Sequence, residues 1–462
     1  MRSEIELYKK KDGYVRNSIL LLLAFATAFF PRIIDAIGAP PTINFVHFVI
    51  VPLACGIIIS TTKVRNKKQK SIAKILLISL FVLLGVMIIS ALLNQAGVIN
   101  VFLDWMLLTE PFLVIIAMVS IPFSIERFKK FKTWIMGFIS LHIFLAFAQH
   151  FLITFGILRV TSMQPFDNVQ GVFYLSGSGH VVGASVSMSF GLYFWLSTKG
   201  TPIWLRASVF TTAFIQLLFA DAKQVIVVWM IAWVLLVLTR LKDIKTALQY
   251  IIAAILVSYL LYWCIYNVEA FVAFKGWIRP ELYGPEGKAT ILKSVPFQII
   301  PSYYKSSLNW LFGLGPGHTI GRLGGWMLKD YSSLLEPLGA TIHPASQAVW
   351  SFWFSPEYYW LDSSFFAPLW GWAGIWGDLG FLGLAAYLFI CSIVWCRICQ
   401  DDFSRFQLLT VMIYGFIFTQ MEEPGYMLST AMLIGLAWQE RQIIRATRKS
   451  FLYPNGAINQ SL

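Results

Sequence analysis

Long apolar segments follow one another along almost the whole chain, and a single long polar stretch, residues 269–368, interrupts them. The other gaps run from a few to about 25 residues. Segments such as residues 72–93 and 251–266 are long and apolar enough to cross a hydrocarbon core of about 30 Å. No ten-residue alternation suggests a barrel, so helices must carry the fold. Composition agrees: 57% of the 462 residues are hydrophobic and 13% charged, against roughly 25% charged in soluble domains. The chain reads as an all-α integral membrane protein.

The pattern predicts twelve transmembrane helices, near residues 17–37, 43–62, 72–93, 100–122, 133–156, 181–197, 206–220, 224–240, 246–268, 369–396, 406–420 and 426–438. The basic, apolar start lacks a small-residue cleavage site, so it reads as a retained first helix with its N-terminus in the cytoplasm. Alternate connections then hold 26 of the 36 Lys and Arg residues, and this asymmetry sets orientation by the positive-inside rule. Both termini come out cytoplasmic and the long loop faces outward, away from ATP and nucleotide sugars. The organisation is residues 1–268 with nine helices, the loop 269–368, and residues 369–462 with three helices and a tail. The net charge of +13 reports topology and contact with anionic lipid, and requires no nucleic acid. All five cysteines lie in or beside apolar segments, which implies no disulfide framework. Cys391, Cys396 and Cys399 lack a fourth ligand, so no metal is assigned.

Within the loop, seven basic residues, among them Lys275, Arg279 and Arg322, face seven acidic ones, so the stretch is close to neutral. It is dense in rings, including Trp277, Trp310, Trp326, Trp350, Trp353 and Trp360. Such rings suit an interfacial belt, and they also stack on the C–H faces of sugars. The run NWLFGLGPGHTIGRLGGWMLKD has six glycines from Gly313 to Gly325. Their N–H groups suit either an anion cradle helped by Arg322 and Lys329, or tight turns at the membrane surface. The short outward turn FADAKQVIVV holds Asp221 and Lys223, as a functional charge pair or a local one. Another outward connection carries Arg159, Asp167 and His180, with Gly-Ser-Gly at the start of the sixth helix. That start leaves N–H groups and a positive dipole end facing outward.

Four elements, in this order, carry a family resemblance: GVFYLSGSGHVVGA, the ADAKQ turn, LFGLGPG in the long loop, and WAGIWGDLGFLGLAAYLF leading into the tenth helix. Together they resemble the O-antigen ligase and O-antigen polymerase family of bacterial envelope glycan enzymes, in detail over residues 155–400. The resemblance implies a GT-C-type, metal-independent membrane glycosyltransferase of the bacterial inner (plasma) membrane, with no cofactor. Its donor would be a polyprenyl-diphosphate-linked glycan, its acceptor a glycan or lipid, and its chemistry periplasmic. In such enzymes a basic residue after the seventh helix contacts the diphosphate; the matching position is Lys223, where Arg is usual and would supply a bidentate fork. Arg279, Arg322 and Arg159 are further diphosphate-binding candidates. The His-Asn pair of ligases has no counterpart, since the position reads Pro368-Leu369-Trp370, which favours the polymerase branch or another one. His343, Asp362 and Glu357 are the candidate catalytic bases, each equally readable as a structural hydrogen-bonding group. A non-enzymatic glycan exporter or flippase is the alternative.

Asp104 and Glu110 fall in the outer half of the fourth helix, where they either face a catalytic cavity or pair with Arg32 or Arg159. Glu422 and Glu423 read as surface residues, and His47, His142 and His150 as core or interfacial ones.

Overall fold

The computed structural model describes residues 16–62, 67–158, 164–174, 178–240, 244–271, 273–277, 279–361 and 363–452. Among them there is no strand, and helices stand at all twelve expected places. In chain order these are α1 (Asn17–Phe29), α2 (His47–Thr61), α3 (Lys67–Asn94), α4 (Val98–Ser120), α5 (Ile125–Thr154), α6 (Gly179–Ser197), α7 (Ile203–Phe219), α8 (Lys223–Leu238) and α9 (Ile244–Asn267). The long loop contributes α10 (Lys288–Ser302) and α11 (Pro344–Trp353), and α12 (Gly371–Arg397), α13 (Asp402–Tyr414) and α14 (Pro424–Leu452) follow it.

Six helical stretches among the described residues are long and apolar enough to cross a membrane: Pro41–Thr61, Lys67–Asn94, Val98–Ser120, Ile125–Thr154, Leu248–Asn267 and Gly371–Arg397. Asn17–Phe29, Ile203–Phe219 and Lys223–Leu238 are apolar but shorter. The helices missing from both groups are enclosed by protein: every residue of α6 from Val181 to Gly191 is buried, and so is every α14 residue from Pro424 to Gln439. A helix surrounded by other helices meets little lipid, so it carries Ser, Thr and Gly where a peripheral one needs Leu and Ile. The opposite case is α9, where 6% of the apolar window is buried. Boundaries also differ from expectation. The first helix ends at Phe29, and Pro31–Ala36 forms a separate turn because proline breaks the hydrogen-bond ladder there. The eleventh stops at Tyr414, and residues 419–422 form a 3-10 turn.

At the centre lies α4, with 83% of its apolar window buried against α2, α3 and α14. Connections of alternate parity gather at opposite ends. One end holds Lys132 with Glu440, Arg240 with Asp402, and Arg441 with Asp401. The other holds the long loop, which is tied down by hydrogen bonds to helix ends and across itself while many of its apolar side chains join the main core. Asn100 donates from Nδ2 to the carbonyls of Pro316 (3.0 Å) and Thr341 (2.9 Å), and Lys293 Nζ donates to the Ala367 carbonyl (2.8 Å) and to that of Ile417.

The glycine run docks on α12. The N–H groups of Gly317 and Thr319 donate to the two carboxylate oxygens of Asp378 at 2.9 and 2.7 Å, and Leu314 and Gly315 N–H donate to the Gly377 and Asp378 carbonyls at 2.8 and 3.0 Å. Two glycines make this approach possible. Gly313 has φ +71° and a Cβ there would sit 2.4 Å from the Asp378 backbone; Gly380 has φ +66° and its Cβ would meet Leu311 at 2.3 Å. L-residues avoid that backbone region and neither site has room for a side chain. The anion-cradle and tight-turn readings of this run are thus resolved: the N–H groups of Gly317 and Thr319 close on the chain's own Asp378. Two motifs that look separate in sequence are one joint.

Candidate functional site

Beside this joint, at the same end, is a cavity of about 1070 Å³. Its walls come from the residues following α1, the segments before α6 and α8, the long loop, and the turn between α13 and α14.

Lys223 is the first residue of α8, and its ammonium group pairs with the carboxylate of Asp221. Asp221 takes φ +50°, a left-handed conformation that Asp tolerates better than most residues, which folds the turn tightly enough for the contact. The Lys223 side chain is 10% exposed and that of Asp221 46%. Gln224 Nε2 donates to Ser364 Oγ at 3.0 Å, tying the turn to the end of the long loop. His180 stands close by, with Nε2 3.7 Å from Asp167 Oδ1, too long for a hydrogen bond.

Arg322 forms the second cationic point. Its guanidinium pairs with Glu423 and lies over the Trp326 ring, 5.6 Å from the centroid. Both partners are nearly buried, at 12% and 10% exposure. The Arg322 N–H donates to Glu422, whose carboxyl burial pushes up to about 8 against that hydrogen bond. Glu422 and Glu423 are therefore interior groups, contrary to their reading as surface residues.

A third group is made of His47, Arg32, Asp35, Lys329 and Asp330. His47 Nδ1 stands 2.9 Å from each carboxylate oxygen of Glu110, and Asn44 Nδ2 donates to Asp35 at 2.8 Å. Burial raises the Asp330 carboxyl, while the Lys329 and Arg32 charges act the other way. Cations and carboxylates alternate round the wall, so the cavity is not a uniformly basic pocket. Trp277, Trp326, Trp350 and Trp353 also line it.

Of the residues expected from sequence, Lys223 and Arg322 line the cavity. Arg159 and Asp362 lie outside the described residues. Arg279, His343 and Glu357 are not brought to it. Arg279 is exposed just ahead of the turn Pro280–Tyr283. His343 caps α11: its Nδ1 accepts the Ala345 N–H at 3.2 Å, and its ring stacks on His318 with centroids 5.3 Å apart. Burial, with His318 and Lys305 nearby, lowers its pKa to about 4. Glu357 is exposed and 4.0 Å from Lys288. His47, read from sequence as a core or interfacial residue, Glu423, read as a surface one, and Gln420, not singled out, all line the cavity. Glu110 was considered with Arg32 or Arg159 as its partner; the partner is His47, 63 positions away, and no local signal couples such a pair. No known protein family and no curated protein matches the chain.

Proposed function

We propose that this protein is a multi-pass membrane glycosyltransferase that moves a glycan from a polyprenyl-diphosphate carrier to a glycan or lipid acceptor. The reaction takes place on the outer side of the bacterial plasma membrane, in cell-surface polysaccharide synthesis of the O-antigen polymerase or ligase kind. The reading takes the cavity to be on that side, as the charge asymmetry of the connections implies for twelve spans with both termini cytoplasmic. One observation carries the reading: Lys223 of the ADAKQ turn and Arg322 of the glycine run, far apart in sequence, line one cavity that four tryptophans also line.

An acceptor hydroxyl oxygen attacks the anomeric carbon of the donor sugar. The bond from that carbon to the diphosphate oxygen breaks, and its electron pair leaves with the diphosphate. Lys223 and Arg322 neutralise the developing charge, and the phosphates take the places of the Asp221 and Glu423 carboxylates beside them. Flat tryptophan faces suit the C–H surfaces of the sugars.

The test is glycan transfer from a polyprenyl-diphosphate-linked donor by the full-length protein in membranes. Lys223→Ala and Arg322→Gln are the variants, the glutamine leaving Glu423 a hydrogen-bond donor. Each is expected to lower transfer on the order of 100-fold or more, as losing one charge-stabilising donor does, with protein levels unchanged. Transfer at the normal rate by both variants overturns the assignment.

A further inference from the structure

The proposed reaction releases a proton from the acceptor hydroxyl, and three histidines are compared as its destination: His47 and His180, which line the cavity, and His343, which the sequence singles out. His343 uses its Nδ1 as the α11 cap and does not line the cavity. His180 lines it, but its Nδ1 is sealed in protein without a partner among the described residues, and its Nε2 is 3.7 Å from Asp167. His47 differs from both.

His47 opens α2 and Glu110 lies midway along α4, with side chains 6% and 1% exposed. Each Glu110 oxygen is 2.9 Å from Nδ1. A carboxylate accepts there only if Nδ1 carries the hydrogen, so in the neutral ring the lone pair is on Nε2. Nε2 has no partner among the described residues and is not among the sealed polar atoms, and His47 lines the cavity. A buried carboxylate that only needed a partner would be satisfied by any donor. Here the donor is a ring whose second nitrogen is free at the wall of the cavity.

We infer that His47 is the general base for glycosyl transfer and that Glu110 is its positioning residue; this rests on the transferase reading above. As the acceptor oxygen bonds to the anomeric carbon, its proton passes to His47 Nε2. The bond to the diphosphate oxygen breaks with its electrons on the leaving group. The resulting imidazolium is held against the Glu110 carboxylate, and it returns to neutral by losing the proton to water.

The experiment compares His47→Gln, His47→Ala, Glu110→Gln and Lys223→Ala in the full-length protein, measuring kcat and KM for transfer. The glutamine at position 47 still offers an N–H to Glu110, so the buried carboxylate keeps a hydrogen-bond donor. His47→Gln is expected to lower kcat by about 100-fold or more at an unchanged KM, and added imidazole to restore part of the rate in His47→Ala. Glu110→Gln should lower kcat by about tenfold or more, again without a change in KM. If Lys223→Ala loses transfer while His47→Gln keeps the wild-type kcat, the base assignment falls and the transferase reading stands. If Lys223→Ala also keeps full transfer, that reading falls with it. A loss confined to KM or to the amount of folded protein, with no response of His47→Ala to imidazole, gives His47 a structural role and overturns the proposal.

Discussion

Two polar regions sit side by side at one end of the bundle, and they differ in what their hydrogen-bonding groups face. Along the glycine run, the N–H groups of Gly317 and Thr319 close on Asp378, and those of Leu314 and Gly315 on α12 backbone carbonyls. Around the cavity, the side chains of Lys223 and Arg322 pair with one carboxylate each, and His47 Nε2 has no partner among the described residues. Both regions contain residue types that bind phosphates in other settings. What separates them is saturation. Groups already matched inside the chain hold the fold, and groups matched only by an exchangeable side chain remain open to a ligand.

The largest effect expected from this contrast is at Asp378. Asp378→Ala removes an acceptor from two buried N–H groups, and each unsatisfied donor costs about 1–3 kcal/mol. The loop should detach from α12, and the variant should unfold at a clearly lower temperature in detergent, or fail to accumulate in membranes. If the run were an anion site instead, removing Asp378 would vacate the N–H groups and strengthen phosphate binding. Stronger binding by a normally stable Asp378→Ala protein would reverse the comparison.

A smaller effect separates the two cations within the cavity. Glu423 is 10% exposed, so Arg322→Ala leaves a buried charge without a partner and should cost about 3 kcal/mol or more. Asp221 is 46% exposed and can turn to water, so Lys223→Ala should change stability by about 1 kcal/mol or less. Thermal unfolding of the two variants measures the difference directly. Equal losses would mean that the exposure of Asp221 does not ease the loss of its partner.

Much of the helical framework was legible in the chain, because lipid exposure forces apolar runs and short connections leave few arrangements. The sequence reads α6, α13 and α14 as spans like the others, yet none of the three is among the helices long and apolar enough to cross a membrane, and all three are largely buried among other helices. In the cavity, Lys223 stood out because a charge in a short turn between apolar runs is conspicuous. His47 and Glu110 did not, for a different reason. A lone histidine at a helix start looks like many core histidines, and its meaning arises only from α2 packing on α4. The glycine run misled in the opposite way, because N–H groups that fit an anion equally fit a carboxylate supplied 59 residues later.

Lys293 belongs to neither region and gives the finest test of the distinction. Its ammonium group is hydrogen-bonded to the carbonyls of Ala367 and Ile417, so its donors have partners, yet those partners carry no formal charge. Burial lowers its pKa to about 7 from the usual 10.5. Below about pH 7 the lysine is protonated whether the chain is folded or not, so it adds no pH dependence there. Between about 7 and 10.5 the unfolded chain holds a proton that the folded one has released, so stability contributed at this site rises with pH. The slope cannot exceed about 1.4 kcal/mol per pH unit. Glu422, with its raised carboxyl, acts in the opposite direction below about pH 8, so the two must be separated by difference. Thermal unfolding of the wild type and of Lys293→Met in detergent at pH 6.5 and 8.5 does so. The wild type should gain about 1–2 kcal/mol relative to the variant over that interval. An identical pH response in both proteins would mean that two carbonyls hold the ammonium charge as well as a carboxylate does, and that saturation alone decides which polar groups are structural.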